Sequence, residues 1–298
     1  MNKTRRIIVL SLLALLLAGC SDASAKISNA KEVLFTIGDT KVTKGDMYDR
    51  MLADDAGATV IQKALSAVVA KEVETTDAIK AEAQKTFDTN KKAVEDAKLD
   101  WLEQLKSAGF DSEEDYMNHC LDTAKQAHLV DQYIEENYDT LLAEHKPVKA
   151  RMIFLSAGND TEAAIQKMNK ALDRIEAGED FVLVAKETGS SEDRAKEKIY
   201  LRSDSTIDYN VLAFLEQTSS PKVSDVITAK NSNGYYIVQI TNTNASQLKD
   251  EFVETLKADE DFTDEVYGYY MKKYGFRIYD ITVYNQIKEN FPAYLVQK

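Results

Sequence analysis

Strand-forming segments concentrate in the middle of this chain, and that confinement limits the folds open to it. The first of these strands, "VKARMIFLS", alternates in polarity, and one side of it carries Val148, Ala150, Met152 and Phe154. Helical periodicity follows, and an Asn-Gly turn between two alternating stretches indicates a hairpin near the end. The order β-α-α-β-α-β-β within residues 147–243 predicts one compact α+β domain.

The flanks of this domain, residues 31–146 and 246–298, are predicted to be mostly helical. A short strand-turn-strand from Val33 to Val42 precedes the first helix, and Trp101, Leu102 and Leu105 are the expected packing face of a later one. "FRIYDITV", near the C-terminus, is expected to be extended. Because the C-terminal flank is too small to hold a core alone, we expect it to dock on the N-terminal flank. The strand-rich domain is then an insertion, and the fold class is α+β.

The N-terminus reads as an export signal. Lys3, Arg5 and Arg6 precede an apolar run from Ile7 to Leu17, which is shorter than the roughly 20 residues of a membrane-spanning helix. The run ends in "LAGC", which resembles the bacterial lipobox. This predicts a signal peptide over residues 1–19 and a lipidated tether over residues 20–30.

Lipidation of Cys20 would place the protein on the extracytoplasmic face of the cell membrane. The alternative is an ordinary signal peptide in which the cysteine is incidental.

The net charge and the positions of the histidines and cysteines limit which partners, metals and cofactors the protein can bind. The chain carries a net charge of −13, and it becomes more acidic when the basic residues of the signal leave. This argues against nucleic acid as a partner. His119, Cys120 and His128 do not share one helix face, so we expect no metal site and no cofactor. With Cys20 lipidated, Cys120 is the one free cysteine of the mature chain, which excludes an intrachain disulfide.

Four stretches resemble the PrsA-type foldase lipoproteins, relatives of the SurA-type chaperones. They are the lipobox, "FTIGDTKVTKGDMYDRM", the group "VKARMIFL", "AGEDF" and "NGYYIVQIT", and "KKYGFRIYDITVYNQIKENF". Their order and spacing carry the resemblance over nearly the whole chain. It implies a SurA/PrsA-like helical chaperone body with a parvulin-type prolyl isomerase domain inserted into it.

The residues that the resemblance implies for isomerase chemistry are mostly replaced. The two family histidine positions fall at Met152 and Tyr236. The acidic or cysteine position falls near Ser191, and the positions of the pocket methionine and first phenylalanine fall at Ser205 and Tyr209; Phe214 is retained. All three histidines of the chain lie outside residues 147–243. We therefore expect a retained fold whose isomerase activity is weak or lost, with Met152 and Tyr236 as an apolar plug.

These expectations describe a membrane-anchored folding factor that assists newly exported, unfolded polypeptides. A working peptidyl-prolyl isomerase is the alternative, because desolvation and pocket shape can lower the rotation barrier without histidine. A solute-binding lipoprotein is disfavoured, since it needs two lobes with parallel sheets. An assembly or adhesion role on the same scaffold and a homodimeric state both stay open.

Overall fold

The structure is a computed structural model that describes residues 27–297, and Cys20 lies outside them. The described chain is α+β and mostly helical. It divides into two compact units. The N/C unit comprises residues 27–130 and 261–297, and the central unit comprises residues 131–260. Among the described residues, no helix is both long enough and apolar enough to cross a bilayer.

The N/C unit starts with a β-hairpin and is otherwise built from helices. In chain order its elements are β1 (Val33–Ile37), β2 (Thr40–Thr43), α1 (Lys44–Glu72), α2 (Asp77–Asp96), α3 (Trp101–Ser107), the first part of α4 (Glu113–His145), α10 (Glu260–Lys273), α11 (Ile281–Asn290) and a 3₁₀ turn (Pro292–Tyr294). β1 and β2 pair antiparallel.

A kink divides α1 into two segments. Asp55 has non-helical torsions (φ −167°, ψ 45°), which interrupt the backbone hydrogen bonding of the helix. Gln286, on α11, satisfies the groups at this break. Its Nε2 donates to the carbonyl oxygen of Leu52 at 2.7 Å, and its Oε1 accepts from the N–H of Gly57 at 2.8 Å. A side chain from the C-terminal part of the sequence therefore supports the kink.

Two apolar clusters stabilise the N/C unit. The first joins α1, α10, α11 and the 3₁₀ turn through Ile61, Leu65, Met271, Val283, Ile287 and Tyr294. The second joins α2, α3 and α4 through Ala83, Phe87, Trp101, Leu105 and Cys120. In the first cluster, residues from the two ends of the sequence share one core.

Two sequence expectations in this unit are wrong. Trp101 and Leu105 are buried, but Leu102 is 55% exposed, because adjacent residues of a helix do not share a face. The segment "FRIYDITV" is not extended throughout. Asp280 caps α11 by accepting the N–H of Thr282 at 2.9 Å, and the helix therefore begins at Ile281.

The central unit contains an antiparallel five-stranded sheet in the order β4-β3-β7-β5, with β6 also paired to β7. Its elements after α4 are β3 (Val148–Ser156), α5 (Thr161–Glu176), α6 (Phe181–Thr188), α7 (Glu192–Ala195), β4 (Lys198–Tyr200), α8 (Tyr209–Gln217), β5 (Lys222–Val223), β6 (Ile227–Thr228), β7 (Gly234–Asn242) and α9 (Lys249–Lys257).

Helices cover both faces of this sheet. Ile153 and Ile237 point into a core shared with α5, α6 and α7. Met152 and Val238 lie on the opposite face, in a core with α8. Consecutive strand residues point to opposite faces, which is why neighbours such as Met152 and Ile153 enter different cores.

The central unit differs from the sequence expectation in its small elements and its extent. The short helix α7 and the two-residue strand β5 are additional to the predicted order β-α-α-β-α-β-β. The unit also includes the end of α4 and α9. Tyr138 and Phe252 join these helices through an edge-to-face ring contact, and Lys257 pairs with Asp131 at 2.9 Å.

Candidate functional site

One candidate site is the face of the central sheet that packs under α8. Met152 of β3 is only 5% exposed, and it packs in a cluster that includes Val211 and Leu215 of α8. Met152 pairs with Val238 across the strands, and both are buried. Where the resemblance implies the first histidine, the structure thus has a buried, apolar side chain.

The second replaced position lies on the same face. Tyr236 of β7 lies opposite Phe154 of β3, and their ring centroids are 4.6 Å apart. The guanidinium of Arg194 lies 5.0 Å from the Phe154 centroid. Beside them, burial raises the pKa of Tyr200, and the nearby carboxylate of Asp193 raises it further. The Tyr200 phenol therefore stays protonated to a higher pH than an ordinary tyrosine does.

The remaining predicted positions are divided between this face and the surface. Phe214 is half-buried and packs against the same cluster as Met152 and Tyr236. Tyr209, the first residue of α8, is 65% exposed. Ser205 and Ser191 are also exposed, and Ser191 precedes α7 without capping it through its side chain. The structure thus brings together Met152, Phe214 and Tyr236, and leaves the other three outside their cluster.

The histidines lie elsewhere. His145 ends α4, and its Nδ1 lies 2.7 Å from the hydroxyl oxygen of Ser203. His119 contacts Phe110 in the N/C unit, and His128 lies 2.9 Å from a carboxylate oxygen of Glu82. The sheet face under α8, which we call the aromatic face because it carries Phe154, Phe214 and Tyr236, therefore contains no imidazole for general acid–base chemistry. A peptide bound to this face would make apolar and aromatic contacts.

Two polar residues that support this face were missed by the sequence analysis. Ser190 accepts the backbone N–H of Phe154 at 3.1 Å, which ties α6 to β3. Asp208 is buried, caps α8 through the N–H of Asn210, and accepts the N–H groups of Lys230 and Asn231 at 2.8 and 2.7 Å. An aspartate directly before an apolar helical stretch is a signal that could have identified this cap.

A second candidate site is an apolar groove in the N/C unit, with a volume of about 610 Å³. The kinked region of α1 forms one wall and residues 277–283 form the other. Its apolar lining is Tyr48, Met51, Leu52, Ala56, Val60, Ile278, Tyr279 and Val283, and its charged lining is Asp55, Lys63, Arg277 and Asp280. Met51 is 67% exposed and Tyr279 is 74% exposed, so large apolar side chains stand open to solvent.

A neighbouring cavity of about 570 Å³ shares one wall with this groove. Arg277, Ile278 and Tyr279 line both cavities. Lys272 and Gln297 also line the smaller one. No local pattern in the sequence indicates the groove as a defined site, because its two walls come from distant parts of the chain.

The cysteine and histidines considered as soft ligands do not form a metal site in the described residues. Cys120 is buried in the core of α2, α3 and α4, and burial raises the pKa of its thiol. No group of three or more His, Cys, Asp or Glu side chains within residues 27–297 is arranged to hold a metal ion.

No protein-family model matches the chain. A curated relative named Foldase protein PrsA, from Streptococcus agalactiae serotype V, is 23% identical over 297 residues and covers 93% of each chain. Its counterpart from serotype III is 22% identical over the same length and coverage.

Solved structures of PrsA proteins also match. One from Bacillus cereus, described as a peptidylprolyl isomerase, is 15% identical, covers 88% of this chain and 99% of its own, and has a TM-score of 0.48. One from Streptococcus pneumoniae, described as a foldase, is 20% identical with coverage of 87% and 99% and a TM-score of 0.40. Over nearly its whole length, this chain is similar to the PrsA-type foldases.

Proposed function

We propose that this chain is a membrane-anchored, extracytoplasmic folding factor that holds unfolded exported polypeptides, with an isomerase-like domain of weak or no activity. The observation that carries the proposal is the open apolar groove of the N/C unit. Met51 and Tyr279 expose large apolar surfaces at a concave site, which is the chemistry that recognises apolar segments of an unfolded chain. The curated relatives named as foldases support the same role.

The central unit supports the second half of the proposal. Met152 is buried in the sheet face, and the ring of Tyr236 packs against that of Phe154 where the resemblance implies a hydrogen-bonded polar cluster. Replacing such a cluster by packed side chains preserves the fold and removes the two imidazoles that the resemblance implies as proton donors and acceptors. The scaffold of the unit is thereby kept without the chemistry that the family positions imply.

An active prolyl isomerase is the second candidate. Phe214 and Tyr236 are only half-buried, and Tyr209 is exposed nearby in sequence, so part of the aromatic face is accessible to a proline ring. A solute-binding lipoprotein has less support. All strand pairs in the described residues are antiparallel, whereas that class needs two lobes with parallel sheets.

The membrane anchor is proposed from the sequence "LAGC" at Leu17–Cys20. Replacement of Cys20 by Ala in the producing bacterium tests it. Radiolabelled palmitate should label the wild-type protein in the membrane fraction and should not label the C20A variant. Equal labelling of both proteins would exclude Cys20 as the lipidation site.

Two assays on residues 21–298 separate the two candidate functions. A protease-coupled assay measures isomerisation of a proline-containing peptide, and light scattering measures aggregation of a chemically unfolded client. The proposal expects slowed aggregation and an isomerisation rate equal to the uncatalysed rate or only slightly above it. Catalysed isomerisation that Phe214→Ala abolishes would instead establish an active isomerase.

A further inference from the structure

Gln297 makes an unusual pair of hydrogen bonds with a single backbone residue. Its Oε1 accepts the N–H of Ile278 at 2.7 Å, and its Nε2 donates to the carbonyl oxygen of Ile278 at 3.2 Å. In an antiparallel sheet, one residue exchanges the same two bonds with its partner on the next strand. The primary amide of Gln297 therefore occupies the position of a partner strand's peptide groups. Ile278 presents its N–H and C=O as the edge of a sheet does.

The residues shortly before Gln297 are packed into the core of the N/C unit, whereas Gln297 itself lies at the edge of that core. Tyr294 is buried, and its hydroxyl donates to the carboxylate of Asp264 at 2.5 Å. The backbone of Ala293 packs closely on Gly268, where an added Cβ would lie 2.7 Å from the Ala293 carbonyl oxygen. Gln297 is three residues further on and half-buried. Its amide can leave Ile278 while Tyr294 stays in the core.

The surroundings of Ile278 define what would replace that amide. The groove of about 610 Å³ lies on one side of Ile278 with a mostly apolar lining. In the cavity of about 570 Å³ on the other side, the charged lining residues are Lys272 and Arg277, with no acidic residue among them. This local positive charge stands out in a chain whose net charge is −13. An extended segment with apolar side chains and one acidic side chain complements both cavities.

We propose that such a segment of a client polypeptide pairs with Ile278 as an added strand and displaces the side chain of Gln297. Gln297 is then an internal competitor that lowers client affinity. Backbone pairing recognises any extended chain, while the two cavities select its side chains. This inference rests on the proposed function, because it specifies how the N/C unit holds a client.

The test uses three fluorescein-labelled peptides with residues 21–298 of the protein. The parent is a ten-residue peptide of alternating Val and Thr with one central Asp. In the second peptide Asn replaces the Asp, and in the third alternate backbone nitrogens are methylated, which removes the N–H groups needed for strand pairing. Fluorescence anisotropy gives the Kd of each peptide for the wild type and for Gln297→Ala. Gln84→Ala is the matched control, since Gln84 is exposed on α2 of the same unit.

We expect Gln297→Ala to bind the parent peptide at least fivefold more tightly than the wild type, because one net hydrogen bond contributes a factor of about five and Gln297 makes two. Gln84→Ala should leave the Kd unchanged. The methylated peptide should bind weakly and gain nothing from Gln297→Ala, and the Asn peptide should bind more weakly than the parent. Circular dichroism of each variant verifies that the fold is retained.

The outcomes separate this inference from the function on which it rests. If the wild type binds the parent peptide and Gln297→Ala has the same Kd, the competition by Gln297 is overturned while client binding stands. If the methylated peptide binds as tightly as the parent, strand pairing at Ile278 is overturned. If neither protein binds the parent peptide and the wild type does not slow client aggregation, the proposed function fails as well.

Discussion

Tyr236 lies directly opposite Phe154 on paired strands, with ring centroids 4.6 Å apart and planes inclined by 42°. Aromatic pairs of this kind contribute roughly 0.5–1.5 kcal/mol beyond the surface they bury. The resemblance implies a histidine at the position of Tyr236, and the structure has a tyrosine ring packed at a tilt against the ring of Phe154 instead. Packing therefore stabilises this part of the sheet face.

Replacement of Met152 by Ala should destabilise the central unit by about 2–5 kcal/mol, because it leaves a cavity beneath α8. Leu183→Ala is the control in the same unit, since Leu183 is 48% exposed and should cost at most about 0.5 kcal/mol. Amide hydrogen exchange of β3 and β7 under native conditions measures both free energies. Equal losses in the two variants would contradict the buried position of Met152.

Local signals in the sequence were sufficient to predict the opening hairpin, the first helix and the strands β3 and β7. A threonine directly before the helix is such a signal, and Thr43 forms a capping box with Asp46 at the start of α1. The short elements were not predictable. The four residues of α7 and the two residues of β5 are too few for a hydrophobic period to emerge.

The two candidate sites differ in how far the sequence reveals them. Met152, Phe214 and Tyr236 could be grouped as one site because the resemblance implies it, whereas strand alternation by itself places only Met152 and Phe154 on one side of β3. The groove could not be predicted as a site, since Met51 and Tyr279 belong to segments that meet only in the folded N/C unit. The support of the α1 kink by Gln286 has the same long-range origin.

Asp208→Ala should destabilise the region around α8 by about 3 kcal/mol. The carboxylate of Asp208 is buried, and its removal leaves the N–H groups of Lys230 and Asn231 without their acceptor. Hydrogen exchange should accelerate in α8 and in residues 229–233. Asp225 is exposed, so Asp225→Ala should leave these rates within the range of the wild type. Unchanged exchange in the Asp208 variant would exclude this role.

The lowered pKa of Glu72 predicts that this residue contributes to the stability of the N/C unit in a pH-dependent way. Burial alone would raise the pKa of Glu72, but hydrogen bonds from Lys273 and Tyr274 lower it overall from its usual 4.5. Because the folded-state pKa is the lower one, the stabilisation is fully present above pH 4.5 and is lost as the pH falls through the folded-state value.

Glu72→Gln should therefore cost about 1 kcal/mol at pH 7, a small value because Lys273 is largely exposed, and almost nothing at pH 2. Hydrogen exchange in α1 and α10, corrected for the intrinsic rate at each pH, measures the difference. Glu74 is exposed and serves as the matched control through Glu74→Gln. A cost for Glu72→Gln that stays constant from pH 7 to pH 2 would contradict the lowered pKa.

The central claim is that the groove of the N/C unit holds unfolded polypeptides, and client aggregation in the presence of Met51→Ala tests it most directly. Met51 and Leu102 are both exposed apolar residues of this unit, but only Met51 lines the groove. Light scattering of an unfolded client should show at least a twofold weaker effect for Met51→Ala than for the wild type, and an unchanged effect for Leu102→Ala. Equal suppression of aggregation by all three proteins would contradict the claim.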